Sequence, residues 1–301
     1  MKILVTGATG LIGSQLVSQL LKENYSVNFL TTNKDEIVSK PNHQGYFWDP
    51  QKGIIDTNAI AGVHAIIHLA GASISNRWTS KNKQAIIESR TLSTNLLYKT
   101  VKAADHEIRQ IISASAIGIY PDSLKKFYTE DETAVDSSFL GNVVVKWEQA
   151  VDNFKRLNIN VCKIRTGLVL SEKGGMLPEI LKPIKLGLGS PMGSGKQWQS
   201  WIHINDLVGI YLFALKNKWN GVFNATAPNP VTNKELTSVV AKTIDKPFFM
   251  PAIPTFMLKI ILGEMHVLLV SSQKVNSAKA VSHGYLFQFP DLKEALRDLL
   301  K

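Results

Sequence analysis

The sequence predicts an α/β fold: a doubly wound, parallel-stranded sheet carrying a smaller C-terminal lobe. Three observations lead there. The chain opens on MKILVTGATGLIG, where an apolar run breaks into Gly7, Gly10 and Gly13 at three-residue spacing. Strand-like apolar segments then alternate with helical ones for roughly the first half of the chain. From Ser171 the texture changes to GGMLPEILKPIKLGLGSPMGSGKQWQSW, rich in Gly, Pro and Trp, which reads as a loop-bearing substrate lobe.

Ile3, Leu4 and Val5 form a buried first strand. Gly7 permits the tight turn, Gly10 lets backbone approach a pyrophosphate, and Gly13 lets the following helix pack on the sheet. The helix from Leu11 to about Glu23 directs its N-terminal amides and positive dipole end at the phosphates. With a second strand over Ser26 to Thr31, this is the Rossmann order, and Gly7, Thr9, Gly10, Leu11, Ile12 and Gly13 are the expected cradle for a dinucleotide. Further strands are expected at 45–48, 64–69, 109–114 and 160–165. Between them, KNKQAIIESRTLSTNLLYKTVKAA places Ile86, Leu92, Leu96, Leu97 and Val101 on one helical face, and SFLGNVVVKWEQAVDNFKRL is a second crossover helix. Val222 to Ala225 return to the sheet, so residues 1–170 make the dinucleotide-binding domain, completed by part of 200–228, and 171–246 are interleaved with it.

A chain of 301 residues, 45% apolar and 19% charged, can bury a sizeable core. Its one cysteine, Cys162, excludes an intrachain disulfide and reads as a buried, inert thiol. The apolar N-terminal run is cut short by TGATG, and FMLKIILGEMHVLLV is broken by Lys259, Glu264 and His266, so a soluble, cytoplasmic protein with no membrane partner is expected. The net charge of +10 comes from scattered lysines on solvated faces. It favours anionic small molecules over nucleic acid, and no metal-ligand spacing stands out. The oligomeric state is left open.

The chain resembles the extended short-chain dehydrogenase/reductases over essentially its whole length. Within them it is similar to the atypical NAD-dependent epimerase/dehydratase branch of nucleoside-diphosphate-sugar epimerase-like, or cell-division-inhibitor-like, proteins. The resemblance rests on TGATGLIG, WDP at 48–50, HLAGASISNRW at 68–78, SASAIGIY at 113–120, RTGLVLSEKGGML at 165–177, LGLGSPMGSGKQWQSWIHINDL at 186–207 and NATAPNPVTN at 224–233. The tail PDLKEALRDLL resembles the end of that branch's own small C-terminal domain, here 247–301. The resemblance implies that Leu69, Ala70 and Gly71 lie along the cofactor ribose and nicotinamide, with Asp49 near the adenine. For His68, a packed strand-end residue is the expectation.

Cofactor choice is read at the end of the second strand, where an NAD enzyme usually offers an acid to the ribose 2′-hydroxyl. Thr31 and Thr32 offer none, which favours NADP over NAD. Relatives in the branch tend to carry arginine where Thr32 stands, so Asn33 or Lys34 is left to substitute; Asp35 and Glu36 argue the other way if they turn inward.

The catalytic expectation turns on an absence. Typical members use Tyr and Lys one helical turn apart, the ammonium lowering the phenol pKa. Aligned on Glu148, these positions hold Leu140 and Val144, and Lys146 lies about 200° around the helix from Val144. Ser115 survives as a candidate catalytic hydroxyl that could equally cap local backbone. Thr166, like Gly71 and Ser115, follows a strand end, where ligands bind in open α/β sheets. Arg77, Trp78, Trp198 and Trp201 are candidate substrate contacts, able to clamp or stack on a planar or anionic ligand, though the tryptophans also suit core anchoring. Arg90 suits either an anion contact or a surface salt bridge. His203 and Asp206 read as packing or capping residues. The leading function is an NADP-binding, epimerase-like oxidoreductase of unidentified small substrate; the alternative is a non-catalytic sensor or regulatory protein.

Overall fold

The computed structural model describes residues 1–301. Seven parallel strands form its centre, in the spatial order 221–225, 160–166, 110–116, 65–68, 2–6, 26–31, 43–49. The short segments Ser39–Lys40 and Ile54–Ile55 add antiparallel edges to the last of them. The chain enters at the centre, winds outward through Ser26–Thr31 and His43–Asp49, then crosses back to Ala65–His68 and proceeds the other way. Strand Lys2–Thr6 therefore pairs with Ser26–Thr31 on one side and Ala65–His68 on the other, and the crevice where the winding reverses opens above the glycine turn.

The inner strands are buried on both faces, which is why they read as continuous apolar runs rather than alternating ones. Helices Leu11–Lys22 and Ile204–Lys216 cover one face through Leu16, Leu20, Ile210 and Tyr211. Helices Ser80–Ala103 and Phe139–Asp152 cover the other through Leu97, Val101, Trp147 and Val151. Strand 160–166 buries Cys162, whose thiol is pushed up to about 12 by burial.

The hairpin Leu168–Ser171 and Gly174–Gly175 leads away from the sheet into the second lobe. There helices Leu177–Lys185, Asn233–Thr243 and Leu292–Leu300 share a core containing Ile180, Leu236, Val240 and Leu296. The C-terminal part is tied back twice. Lys274–Val275 pairs in parallel with Phe127–Tyr128. Asp206, wholly buried, accepts the Tyr285 hydroxyl at 3.0 Å and the backbone N–H groups of Gln288 and Phe289 at 2.8 and 2.9 Å. His203 caps its helix by accepting from Asn205 N–H and stacks on Phe289 at 4.0 Å. No helix is long and apolar enough to cross a membrane. The stretch FMLKIILGEMHVLLV folds as helix Thr255–Leu262, a 3-10 turn and a single further turn, exposing Phe256, Ile260 and Ile261.

Candidate functional site

The glycine turn divides its work. Gly7 has φ +66°, and a Cβ there would lie 2.8 Å from the Leu69 carbonyl oxygen. A Cβ on Gly13 would sit 2.1 Å from the Gly7 oxygen, so both glycines are demanded by the protein's own packing. Gly10 differs: around an added Cβ only the Gly7 oxygen lies within 4 Å, at 3.3 Å. Bare backbone is therefore presented outward. Helix Leu11–Lys22 starts with no side-chain cap and no acid in its first turn, leaving its amides and dipole for a ligand anion. A dinucleotide pyrophosphate fits this cradle, with Thr9, Leu11 and Ile12 following Gly7 around the turn.

The neighbouring loop is held by a closed hydrogen-bond chain. Thr94 Oγ1 donates to the Arg90 carbonyl at 2.6 Å, so it accepts from His68 Nε2 at 2.9 Å. His68 Nδ1 then accepts from Thr6 Oγ1 at 2.8 Å, and that oxygen accepts from the backbone N–H groups of Leu69 and Ala70 at 3.2 and 3.1 Å. Every polar atom is used, with the histidine neutral as its Nε2–H tautomer. Burial pushes its pKa down to about 3. His68 thus fixes Leu69 and Ala70 against the first strand and does not exchange protons.

At the end of the second strand, Thr31 is buried and Thr32, Asn33 and Lys34 are exposed. Thr31 Oγ1 donates to Glu36 Oε2 at 2.9 Å and accepts from Asn33 N–H at 3.1 Å. The turn therefore does carry a carboxylate, brought back from five residues downstream. Lys34 Nζ lies 5.0 Å from the Phe47 ring centroid. Asp49 caps its own turn, accepting from Gln51 N–H at 3.1 Å, with Lys52 Nζ at 3.5 Å.

Ser115 is drawn away from solvent. Its hydroxyl donates to Glu148 Oε1 at 2.6 Å. Glu148 also receives Arg165 Nε at 2.9 Å and Nη2 at 3.1 Å, with Lys163 Nζ at 3.2 Å. Arg165 Nη1 donates to the Tyr120 hydroxyl at 3.0 Å, which donates to Asn224 Oδ1 at 2.7 Å. Despite the cost of burial, the Arg165 and Lys163 cations hold the Glu148 carboxyl below its ordinary range. Ser115, expected as a candidate catalytic hydroxyl or a local cap, is placed with its hydroxyl on Glu148, and it is not among the residues lining the cavity beyond the strand ends. Tyr120 and Tyr128 are buried and stacked at 5.0 Å, and Lys146 is exposed, so none supplies the missing pair.

A cavity of about 190 Å³ opens beyond the carboxyl ends of strands 110–116 and 160–166. Ala116, Ile117, Thr166 and Leu168 line it from the sheet side; Leu140 and Val144 line it from helix Phe139–Asp152. The two positions expected to hold tyrosine and lysine thus form apolar wall. Arg90 is the sole ionisable side chain among the lining residues. Its Nη1 donates to the carbonyls of Ala72 and Ile86 at 3.2 and 3.0 Å, and its guanidinium lies 5.0 Å over the Trp147 ring. A Cβ on Gly71 would meet that guanidinium at 3.1 Å.

Of the candidate substrate contacts, Trp198 lines the cavity, its Nε1 donating to the Leu124 carbonyl at 3.1 Å. The others lie elsewhere. Trp78 packs edge-on to Phe139 at 5.0 Å and donates to the Ile74 carbonyl, a side chain drawn into a small core by its apolar neighbours Ile86 and Val143. Trp201 is wholly buried, donating to the Asn229 carbonyl at 3.0 Å. Arg77 is exposed and is not part of the wall.

The glycine cradle and crevice agree with what the sequence is related to. The model of the NAD dependent epimerase/dehydratase family matches residues 3–226. The chain belongs to that family. A second model, a domain of unknown function, matches residues 253–299. An epimerase family protein of Staphylococcus aureus is 36% identical over 99% of this chain and 98% of its own. The human epimerase family protein SDR39U1, solved with NADPH, superposes with a TM-score of 0.86 at 30% identity, covering 99% of both chains. A nucleoside-diphosphate sugar epimerase from Corynebacterium glutamicum gives 0.79 at 31% identity, covering all of this chain and 58% of that one.

Sequence reasoning missed the walls contributed from a distance. Val267, Leu268, Ser271 and Gln273 reach the cavity from the C-terminal domain, and Ile74, rather than Arg77 or Trp78, reaches it from the 70s loop. Val267 and Leu268 lie in an apolar run that reads as ordinary packing, so no local pattern marks them.

Proposed function

We propose that this member of the family is an NADP-dependent, epimerase-like oxidoreductase, working on a small molecule in the cavity without a tyrosine–lysine pair. The observation that carries the reading is the juxtaposition of an intact dinucleotide cradle with a partly open cavity at the strand ends, whose wall includes Leu140 and Val144. When bound, the nicotinamide supplies hydride exchange. The chain's own part is to hold the pyrophosphate on the Gly10 backbone and the Leu11 helix end, to fix the 69–71 loop through Thr6 and His68, and to keep water from the cavity. Thr31 to Lys34, Asp49 and Thr166 are assigned to the cofactor in the same reading. NADP over NAD is supported by the threonines at the strand end and by the NADPH in the human relative, and opposed by Glu36. A cytoplasmic setting suits the lone reduced thiol of Cys162.

The lack of any carboxylate, histidine, lysine or tyrosine among the lining residues favours a second reading, a non-catalytic NADP(H) sensor. Two measurements separate them. Fluorescence titration with NADPH and NADH tests the cofactor, a tenfold preference for NADPH supporting the proposal. NADPH oxidation against aldehydes, ketones, enones and UDP-sugars tests turnover: consumption above the buffer rate supports an enzyme, and tight binding with none supports the sensor.

A further inference from the structure

Arg90 stands in an unusual position for a cation. It is half-buried and forms no ion pair, whereas the buried arginine, Arg165, is fully matched by Glu148. Arg165 grips its carboxylate with Nε and Nη2, at 2.9 and 3.1 Å, and gives Nη1 to a neutral oxygen. Arg90 likewise gives Nη1 to neutral oxygens, the Ala72 and Ile86 carbonyls, but its Nε and Nη2 donate to nothing in the protein. That edge is the planar two-donor fork that matches a carboxylate.

One further donor among the wall residues lacks a partner: the indole N–H of Trp147, on whose ring Arg90 lies, is buried without an acceptor. Gln199 Oε1 is the converse case, a buried acceptor without a donor, and a carboxylate does not complete it. Orphaned buried polar groups cost free energy and mark places where a ligand completes the bonding. Guanidinium and indole are donors only, so what they lack is an acceptor. The remaining wall is mostly apolar, Leu140, Val144, Leu168 and Val267 among it, with Thr166, Ser200, Ser271 and Gln273 as its polar members. A volume of about 190 Å³ admits one ring-sized body, since a dry cavity of about 150 Å³ takes up benzene.

We propose that the cavity takes a small, mainly apolar carboxylic acid, its carboxylate held by Nε and Nη2 of Arg90 beside the Trp147 N–H. The assignment rests on reading the cavity as the substrate site and names the substrate's chemical class. Gly71 belongs to the same device, because any side chain there would meet the guanidinium.

The test uses the full chain saturated with NADPH, with benzoate, the isosteric neutral benzamide, and phenyl phosphate as probes, read by calorimetry. Benzoate is expected to bind at least tenfold more tightly than benzamide and phenyl phosphate. Arg90→Met is expected to abolish that preference and Arg90→Lys to reduce it, both leaving NADPH affinity within about twofold. Benzamide equal to benzoate, or phenyl phosphate binding where benzoate does not, overturns the proposal using the unaltered protein alone. So does benzoate competing with NADPH, or loss of NADPH affinity in Arg90→Met with folding intact, since either gives the guanidinium to the cofactor. Failure of NADPH itself to bind, with benzoate still preferred over benzamide, would sink the NADP-dependent function and leave the acid site standing.

Discussion

Ser115 Oγ donates to Glu148 Oε1 at 2.6 Å, which puts the strand-end serine into a buried ion-pair network instead of the cavity beside it. Glu148 receives donors from three side chains, and removing its charge would leave Arg165 without a carboxylate partner, while Lys163 would keep Asp152 Oδ2 at 3.0 Å. Glu148→Gln is therefore expected to destabilise the fold by about 3 kcal/mol, the scale of a broken buried pair. Since the folded carboxyl titrates below its unfolded value of about 4.3, the stabilisation is complete above that pH and is lost as pH falls toward the lower folded value. Urea unfolding between pH 6 and 3 should show a flatter profile in Glu148→Gln, and parallel profiles would refute the ion-pair account.

His68 has the opposite ionic state but the same direction of pH dependence. The folded imidazole stays neutral to about pH 3 while the unfolded one protonates near 6.5, so stability should fall by about 1.4 kcal/mol per pH unit below 6.5. Its ring nitrogen resonances should report an Nε2–H tautomer at pH 5. A charged imidazole at that pH would break the Thr6–His68–Thr94 chain.

Two glycine variants should separate packing from binding. Gly13→Ala places a methyl group 2.1 Å from the Gly7 oxygen and should unfold or markedly destabilise the protein. Gly10→Val points into space bounded mainly by the ligand, and should weaken NADPH by about a hundredfold while moving the melting temperature little. Retained NADPH binding in Gly10→Val would displace the pyrophosphate from this turn.

Glu36 accepts from the Thr31 hydroxyl at the end of the second strand, where the proposed NADP reading puts the 2′-phosphate. Glu36→Gln should strengthen NADPH relative to NADH by about tenfold, the value of one like-charge contact near the surface. An unchanged ratio would place the ribose elsewhere.

Trp78 and Arg77 now carry different expectations from a substrate clamp. Trp78→Ala should lower stability by about 3 kcal/mol through the cavity it leaves against Phe139, and Arg77→Ala should change neither stability nor binding. A selective loss of ligand binding in Arg77→Ala would restore the loop to the site.

The parallel sheet was legible because its strands are short buried runs punctuated by glycine or by amphipathic helices; Lys2–Thr6 and Ser26–Thr31 fall where the pattern places them. The strand expected at 109–114 runs on to Ala116, where small residues give no terminating signal. Leu140 and Val144 were legible as a vacancy, though not that they meet across the same cavity as Arg90. The fate of Ser115 was hidden because its partner lies 33 positions away, on another element. Glu36 was hidden for a shorter-range reason: a 3-10 turn over Lys34–Glu36 folds the acid back onto Thr31, and spacing alone does not tell which way such a turn closes.

The cavity wall made by Val267, Leu268, Ser271 and Gln273 puts part of the cavity's shape under the control of residues far from the glycine turn in sequence. A change at Val267 or Gln273 reshapes the space beside Arg90 and touches nothing in the glycine turn. The shape of that space can therefore be altered from one end of the chain while the turn at the other end keeps its form.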